Sequence, residues 1–227
     1  MADETDGGAP GPDVGHGGSA VARVYGEIAS AYEVLYPALH RYGDRVERFL
    51  ADAVAPGMRV LDVGCGPALH TRGLDASVDV VGLDFAPEML ELAKRARPAG
   101  TWREHSYLEP VPEDLGRFDV ALAIGCLDFC DDLPRVLGHL AQALKPGGRM
   151  LFTVLERRPG LEAHEEATRQ VRTADTDVTL HLWSSVETAR ALDGAGLRTG
   201  FYLHAPGWEL LAEERTMWFG WWYVTRG

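Results

Sequence analysis

Two short runs in this sequence place reactive residue types at a fixed spacing. The first is Val60-Leu61-Asp62-Val63-Gly64-Cys65-Gly66-Pro67, an apolar run that ends in Gly-x-Gly. Glycines at that point let a backbone bend sharply and meet a ligand with no Cβ in the way. Pro67 is tolerated in a first helical turn, where its missing N–H has no intrahelical partner. The second run is VVGLDFAPEML (80–90), in which Asp84 ends the next apolar stretch eighteen residues beyond Gly66. A carboxylate there can accept hydrogen bonds from both hydroxyls of a ribose. Together the runs describe a nucleoside site at the carboxyl ends of adjacent strands. A dinucleotide fingerprint needs a third glycine three residues after Gly66, and Leu69 stands there, which disfavours NAD.

Groups able to act on a second reactant are fewer. Asp128 and Phe129 follow the apolar run at 118–124, where the mouth of such a site falls. Asp128 is a general-base candidate, with the alternative that it only caps its own loop. A helix at 161–171 would put Leu161, His164, Thr168 and Val171 on one face. Turned towards a pocket, that face offers His164 as a second base candidate. His181 and His204 rank below it. No catalytic triad or paired-carboxylate signature is present. Cys126 and Cys130 are four apart, but no His pair or further Cys completes a ligand set, so no metal is expected.

The elements that position these residues follow from periodicity. Residues 1–19 are Gly, Pro and Asp with almost no large apolar side chain, and read as a disordered tail. Residues 20–55 form a helical cap, with Val24, Ile28, Tyr32 and Leu35 on one face and then a second helix at 38–53. Strands are expected at 58–63, 78–83, 101–105, 118–124 and 149–155, with helices at 68–74, 87–96 and 133–144 between them. Alternation of that kind means βαβ units and a doubly wound parallel sheet. An insertion at 157–182 is read as a lid. A helix at 184–194 and strands at 197–204 and 215–225 finish the domain, which runs from 20 to 227. The last strand, RTMWFGWWYVT, has large apolar groups on both faces, as a strand covered on both sides must.

At 227 residues with 46% hydrophobic and 25% charged side chains, the chain suits one globular domain. A formal charge of −12 with no Lys/Arg cluster argues against nucleic acid as partner. No apolar run reaches the length of a membrane span. Three cysteines with no signal-peptide pattern fit a reducing compartment, so the expected location is the cytoplasm.

The runs LDVGCG (61–66), GLDFAPEML (82–90), RFDVALAIGCLDF (117–129) and LKPGGRMLF (144–152) resemble the class I S-adenosylmethionine-dependent methyltransferases. The likeness is to the small single-domain enzymes of the type 11/25 group, and it covers about residues 21–227. It implies an α/β, Rossmann-like, seven-stranded sheet of order 3-2-1-4-5-7-6 with the last strand antiparallel. It also implies S-adenosyl-L-methionine as cofactor. On that resemblance Asp62, Gly64, Cys65 and Gly66 line the methionine and ribose side, and Asp84 holds the ribose hydroxyls. Phe85 and Met89 pack near the adenine, and backbone at Ile124, Gly125 and Cys126 closes over the methionine end. A helix of the form YxxIAxxY covers the cofactor, matched by Tyr25, Ile28, Ala29 and Tyr32, with packing aromatics as the alternative for both tyrosines. The chain departs from the group in two places. Pro67-Ala68 stands where Thr-Gly is common, and Ser106, followed by Tyr107, takes the place of the usual acid at the adenine.

The reaction so implied moves a methyl group to an O, N or C atom of a small-molecule acceptor. It works by orientation, with at most one general base. A cyclase or isomerase that uses the sulfonium only as a fixed charge is the alternative. A scaffold on a degenerate site ranks last, because Gly64, Gly66 and Asp84 are all present. The residues leave monomer and homodimer equally open.

Overall fold

The computed structural model describes residues 21, 23–26, 29, 43–160, 165–173, 176–210 and 215–227. Its centre is a seven-stranded sheet. The parallel strands are β1 (Arg59–Val63), β2 (Asp79–Asp84), β3 (Thr101–Glu104), β4 (Phe118–Ala123) and β5 (Leu144–Leu155). β8 (Leu197–Leu210) and β9 (Arg215–Arg226) form a long antiparallel pair, and β9 also runs antiparallel to β5. The order is β3-β2-β1-β4-β5-β9-β8. The expected order is therefore present, with strands six and seven being β8 and β9. β1, β2 and β4 are buried along nearly their whole length, which is why they read as unbroken apolar runs.

Helices cover both faces. α1 (Gly43–Ala53) and the helical residues at 21, 23–26 and 29 bury Val21, Val24, Val46 and Leu50 against Leu122, Leu151 and Trp221. On the opposite face, α3 (Leu133–Ala143) and α4 (Ser185–Gly194) pack on Ala121, Phe152, Trp222 and Val224. α2 (Pro87–Ala96) buries Met89, Leu90 and Ala93. β9 lies inside the sheet, and its alternate residues enter the two opposite clusters. Trp222 and Val224 face α3, while Phe219 and Trp221 face α1.

Two expected helices are not found among the described residues. The segment after β1 closes as successive turns, with Ala68 N–H to Cys65 O at 2.9 Å and Arg72 N–H to Ala68 O at 2.9 Å. Ala68 has φ +57°, a left-handed conformation that interrupts a regular helix at its start. The crossover is instead held by Arg97, whose guanidinium donates to the carbonyls of Asp75 and Val78 at 2.9 and 2.8 Å. In the insertion, the helix expected at 161–171 gives way to strand β6 (Thr168–Thr173), paired antiparallel with β7 (Thr176–His181). Residues 161–164 lie outside the described residues. So do residues 1–19, for which the composition predicts a tail.

Candidate active site

β1 and β4 end side by side, and each ends in a turn that only glycine makes easily. Gly64, Gly66 and Gly125 have φ of +60°, +50° and +67°. At Gly64 a side chain is also excluded by contact, because a Cβ there would lie 2.3 Å from Cys126 Cβ. The two turns are therefore in close apposition, and the Cys126 thiol reaches back to Val63 O at 3.2 Å. Gly125 N–H is held by Thr153 Oγ1 of β5 at 2.8 Å, which sets the height of the β4 turn.

The end of β2 supplies the acid. Asp84 accepts Gly66 N–H at 2.8 Å on one oxygen and Ala86 N–H at 2.9 Å on the other. Each oxygen keeps a further lone pair for a ligand hydroxyl. Burial raises the Asp84 pKa, and these N–H groups pull against the rise. Asp62, buried one strand away, accepts Thr71 Oγ1 at 2.8 Å, and burial pushes its pKa up to about 7. Among the described residues neither carboxyl is paired with Lys or Arg.

Tyr25, Gly64, Gly66, Asp84, Phe85, Met89, Ile124, Gly125, Cys126 and Phe129 surround one crevice, so most of the residues expected around the cofactor converge. Tyr25 stands edge-on to Phe129, with ring centres 6.1 Å apart. Ala29 packs on Ala86 and Met89, so the N-terminal helical residues cover the same end. The free space is about 40 Å³, room for little more than water. Asp62, Cys65, Ser106 and Tyr107 are not part of this lining. Cys65 is buried, and its Sγ would lie 2.9 Å from a Cβ at Gly82. Ser106 Oγ accepts Leu108 N–H at 3.3 Å, and Tyr107 packs on the core cluster next to Cys126. Tyr32 and His164 lie outside the described residues.

Asp128 sits in a single 3-10 turn (Leu127–Phe129) just beyond the β4 turn. It is 5% exposed, and Trp208 Nε1 donates to its Oδ2 at 3.3 Å. Oδ1 has no partner among the described residues. Burial lifts the Asp128 pKa to about 7. Trp208 arrives there through a bulge in β8, where Pro206 and Trp208 oppose the adjacent residues Trp218 and Met217. An inserted residue reverses the facing of the strand beyond it, and so aims the indole at this turn. Thr71, Thr153 and Trp208 carry no signal in the sequence, since each acts through contacts set by register. No group of three or more His, Cys, Asp or Glu able to hold a metal occurs among the described residues. No described helix is long and apolar enough to cross a membrane.

Crevice chemistry fits a cationic nucleoside. It offers a carboxylate with lone pairs free for hydroxyls, bare turns and apolar Phe85 and Met89, with Asp62 buried one strand away and neither carboxyl paired with Lys or Arg among the described residues. Comparison with known proteins agrees. The family model described as a methyltransferase domain matches residues 35–205. Malonyl-[acyl-carrier protein] O-methyltransferase of Serratia marcescens is 34% identical over 142 residues, covering 60% of this chain and 52% of that protein. This chain thus spans about half the length of the curated relatives it matches. Among solved structures, the Burkholderia thailandensis 1,6-didemethyltoxoflavin-N1-methyltransferase superposes with a TM-score of 0.67 at 18% identity, covering 98% of this chain and 93% of that one. The cyclase SpnF does so at 0.69 and 14% identity, covering 91% and 94%. These two likenesses concern the fold. The chain belongs to the methyltransferase-domain family, whose methyl donor is S-adenosylmethionine.

Proposed function

We propose that this protein transfers a methyl group from S-adenosylmethionine to a small-molecule acceptor in the cytoplasm. The observation that carries the reading is the crevice between the Gly64–Gly66 turn and Asp84, with carboxylates that no protein cation among the described residues neutralises. When bound, the cofactor supplies an activated sulfonium methyl. The chain's own residues then have three tasks. Asp84 grips the sugar while Phe85 and Met89 hold the base. The turns at Gly64 and Gly125 leave room for the amino-acid end, near which buried Asp62 contributes negative charge. Tyr25 and Phe129 exclude water from the reacting centre, where alignment alone contributes roughly 7–11 kcal/mol towards lowering the barrier.

Asp128, next to the crevice wall, is the base for an acceptor that must lose a proton. A carboxyl with a pKa of about 7 changes state near neutrality, where a general base works best. This favours oxygen as the methylated atom, and the relatives are O-methyltransferases by name. All three cysteines are free, which supports a reducing location.

The test pairs binding with turnover. Calorimetry should show S-adenosylhomocysteine binding to the native chain, and Asp84→Ala should weaken it by about a hundredfold or more, as loss of a charged hydrogen-bonding partner does. Retained binding would remove the site. Methyl-labelled cofactor incubated with cell extract should leave label in a product. Label that stays on the cofactor while an extract component is converted would favour the cyclase or isomerase reading, which the SpnF fold likeness keeps in view.

A further inference from the structure

The turn that carries Asp128 is gripped by two indoles from different elements. Trp183, between β7 and α4, donates from Nε1 to Cys130 O at 3.3 Å, which ties down the backbone at the end of the turn. Trp208 of β8 donates from Nε1 to Asp128 Oδ2, also at 3.3 Å. The first bond holds the turn; the second holds the carboxyl itself.

The surroundings fix Trp208 in place. Its ring packs on the apolar cluster that contains Phe219. Gly207 is the inserted residue of the β8 bulge, and a Cβ there would lie 2.8 Å from the Phe219 ring. Phe219 is fully buried and has no room to yield. The bulge therefore needs glycine, and the bulge aims the indole.

The two oxygens of Asp128 are left unequal. Oδ2 is occupied by the indole, while Oδ1 is buried and has no partner among the described residues. Such an oxygen is uncommon, because its lost hydration is not replaced. Phe129, next in the turn, lines the crevice, so the carboxyl stands one residue behind that wall. Burial raises the Asp128 pKa, and the indole N–H lowers it by favouring the charged form. Of the other ionisable groups described around the turn, Tyr107, Cys126 and Cys130 are pushed up by burial, and His181 of β7 is lowered by it. Asp131, Asp132 and Asp177 are exposed, and His204 of β8 is turned to Glu156 and Trp218. The stretch of β5 beside the turn, MLFTVL (150–155), has no ionisable side chain.

We propose that Trp208 is a positioning residue for methyl transfer, holding Oδ2 of Asp128 so that Oδ1 receives the acceptor's proton. The proposal rests on the methyl-transfer reading above, with Asp128 as base. In that step Oδ1 forms a bond to the hydroxyl proton, and the electron pair of the broken O–H bond stays on the acceptor oxygen. An oxygen pair then makes the bond to the methyl carbon, and the carbon–sulfur pair leaves with sulfur.

The experiment follows Asp128 in the full chain by carbon NMR of labelled aspartate carboxyls, with Asp128→Asn assigning its line. In the native chain this line should titrate near pH 7. Trp208→Phe keeps a ring and loses the N–H, so the midpoint should rise by about one pH unit. Gly207→Ala, which forces the bulge off Phe219, should raise it in the same sense. Trp183→Phe loses a bond to the same turn but none to the carboxyl, and should leave the midpoint in place. Unchanged S-adenosylhomocysteine affinity shows that each variant is folded; should Trp208→Phe lose it, Gly207→Ala carries the comparison. With methyl-labelled cofactor and deproteinised cell extract, the rising pH limb of label incorporation should follow the Trp208→Phe midpoint upward, and the rate at pH 7 should fall by about fivefold or more. A midpoint that stays put without the indole N–H, or that moves as far in Trp183→Phe, overturns the assignment and leaves the cofactor site standing. A midpoint that moves while the limb of label incorporation stays sends the proton elsewhere and overturns it equally. Failure of the native chain to bind S-adenosylhomocysteine, or to place label in any product, overturns the methyl-transfer reading and this inference with it.

Discussion

Asp128 illustrates how one residue acquires a role from its surroundings. Trp208 holds one oxygen, the other has no partner among the described residues, and burial keeps the proton on until about pH 7. Asp128→Asn keeps the shape and removes the proposed base. Its kcat should fall by about a hundredfold or more, as loss of a general base does, with S-adenosylhomocysteine affinity unchanged. In the native enzyme kcat should rise with pH as Asp128 loses its proton, and this limb should vanish in the variant. A limb that persists places the base elsewhere. Gly64, Gly66 and Asp84 are legible in the sequence because a bare turn and a strand-end acid are local signals. Glu156, His204 and Trp218 are not, because residues 48 and 14 positions apart meet only through the register of β8 and β9. His164, the histidine favoured by helical spacing, lies outside the described residues, while His204 is a histidine with a buried carboxylate behind it.

At the scale of elements, the strands of the parallel sheet are readable from their unbroken apolar runs, and the two departures have local causes. TRQVRT, at 168–173, places Thr168 and Val171 at helical spacing. Its β-branched Thr and Val suit a strand equally, and pairing with β7 decides the matter. The segment after Gly66 fails as a helix at Ala68, where a positive φ breaks the repeat. The N-terminal helical residues carry a consequence of their own. With about 40 Å³ free under Tyr25 and Phe129, the wall must yield to admit a nucleoside, and Tyr25 is the part expected to move. Once the cofactor is seated, contacts on both sides should hold this element down. Hydrogen exchange at residues 23–26 should slow by about tenfold or more with S-adenosylhomocysteine bound, while β1 changes little. Unchanged exchange at 23–26 would mean that another part of the wall yields.

Across the whole molecule, the buried acids tie stability to pH. Asp62 and Asp128 are each raised from 3.8 to about 7, and Asp84 is raised as well. Between those values the folded chain binds more protons than the unfolded one, so unfolding free energy falls as pH rises through that window. Without cofactor, Tm should be higher at about pH 5 than at about pH 8. S-adenosylmethionine, which brings positive charge to the crevice, should stabilise more at the higher pH and narrow the gap. A cofactor-free Tm that climbs across this range would show that the acids are ionised and compensated. The net charge of −12 adds to the same trend, since ionising further carboxyls increases self-repulsion.

β9 comes after every other described strand along the chain, yet it lies inside the sheet, between β5 and β8. During synthesis on the ribosome β5 therefore emerges with one edge open, and about seventy residues must be added before its neighbour is made. Until then β5 offers unpaired backbone to any passing strand, a hazard usually confined to sheet margins. Closing such a distant pairing is slow. Cells making this protein in quantity should find its yield governed by chaperone supply during that interval, more than by the stability of the finished molecule.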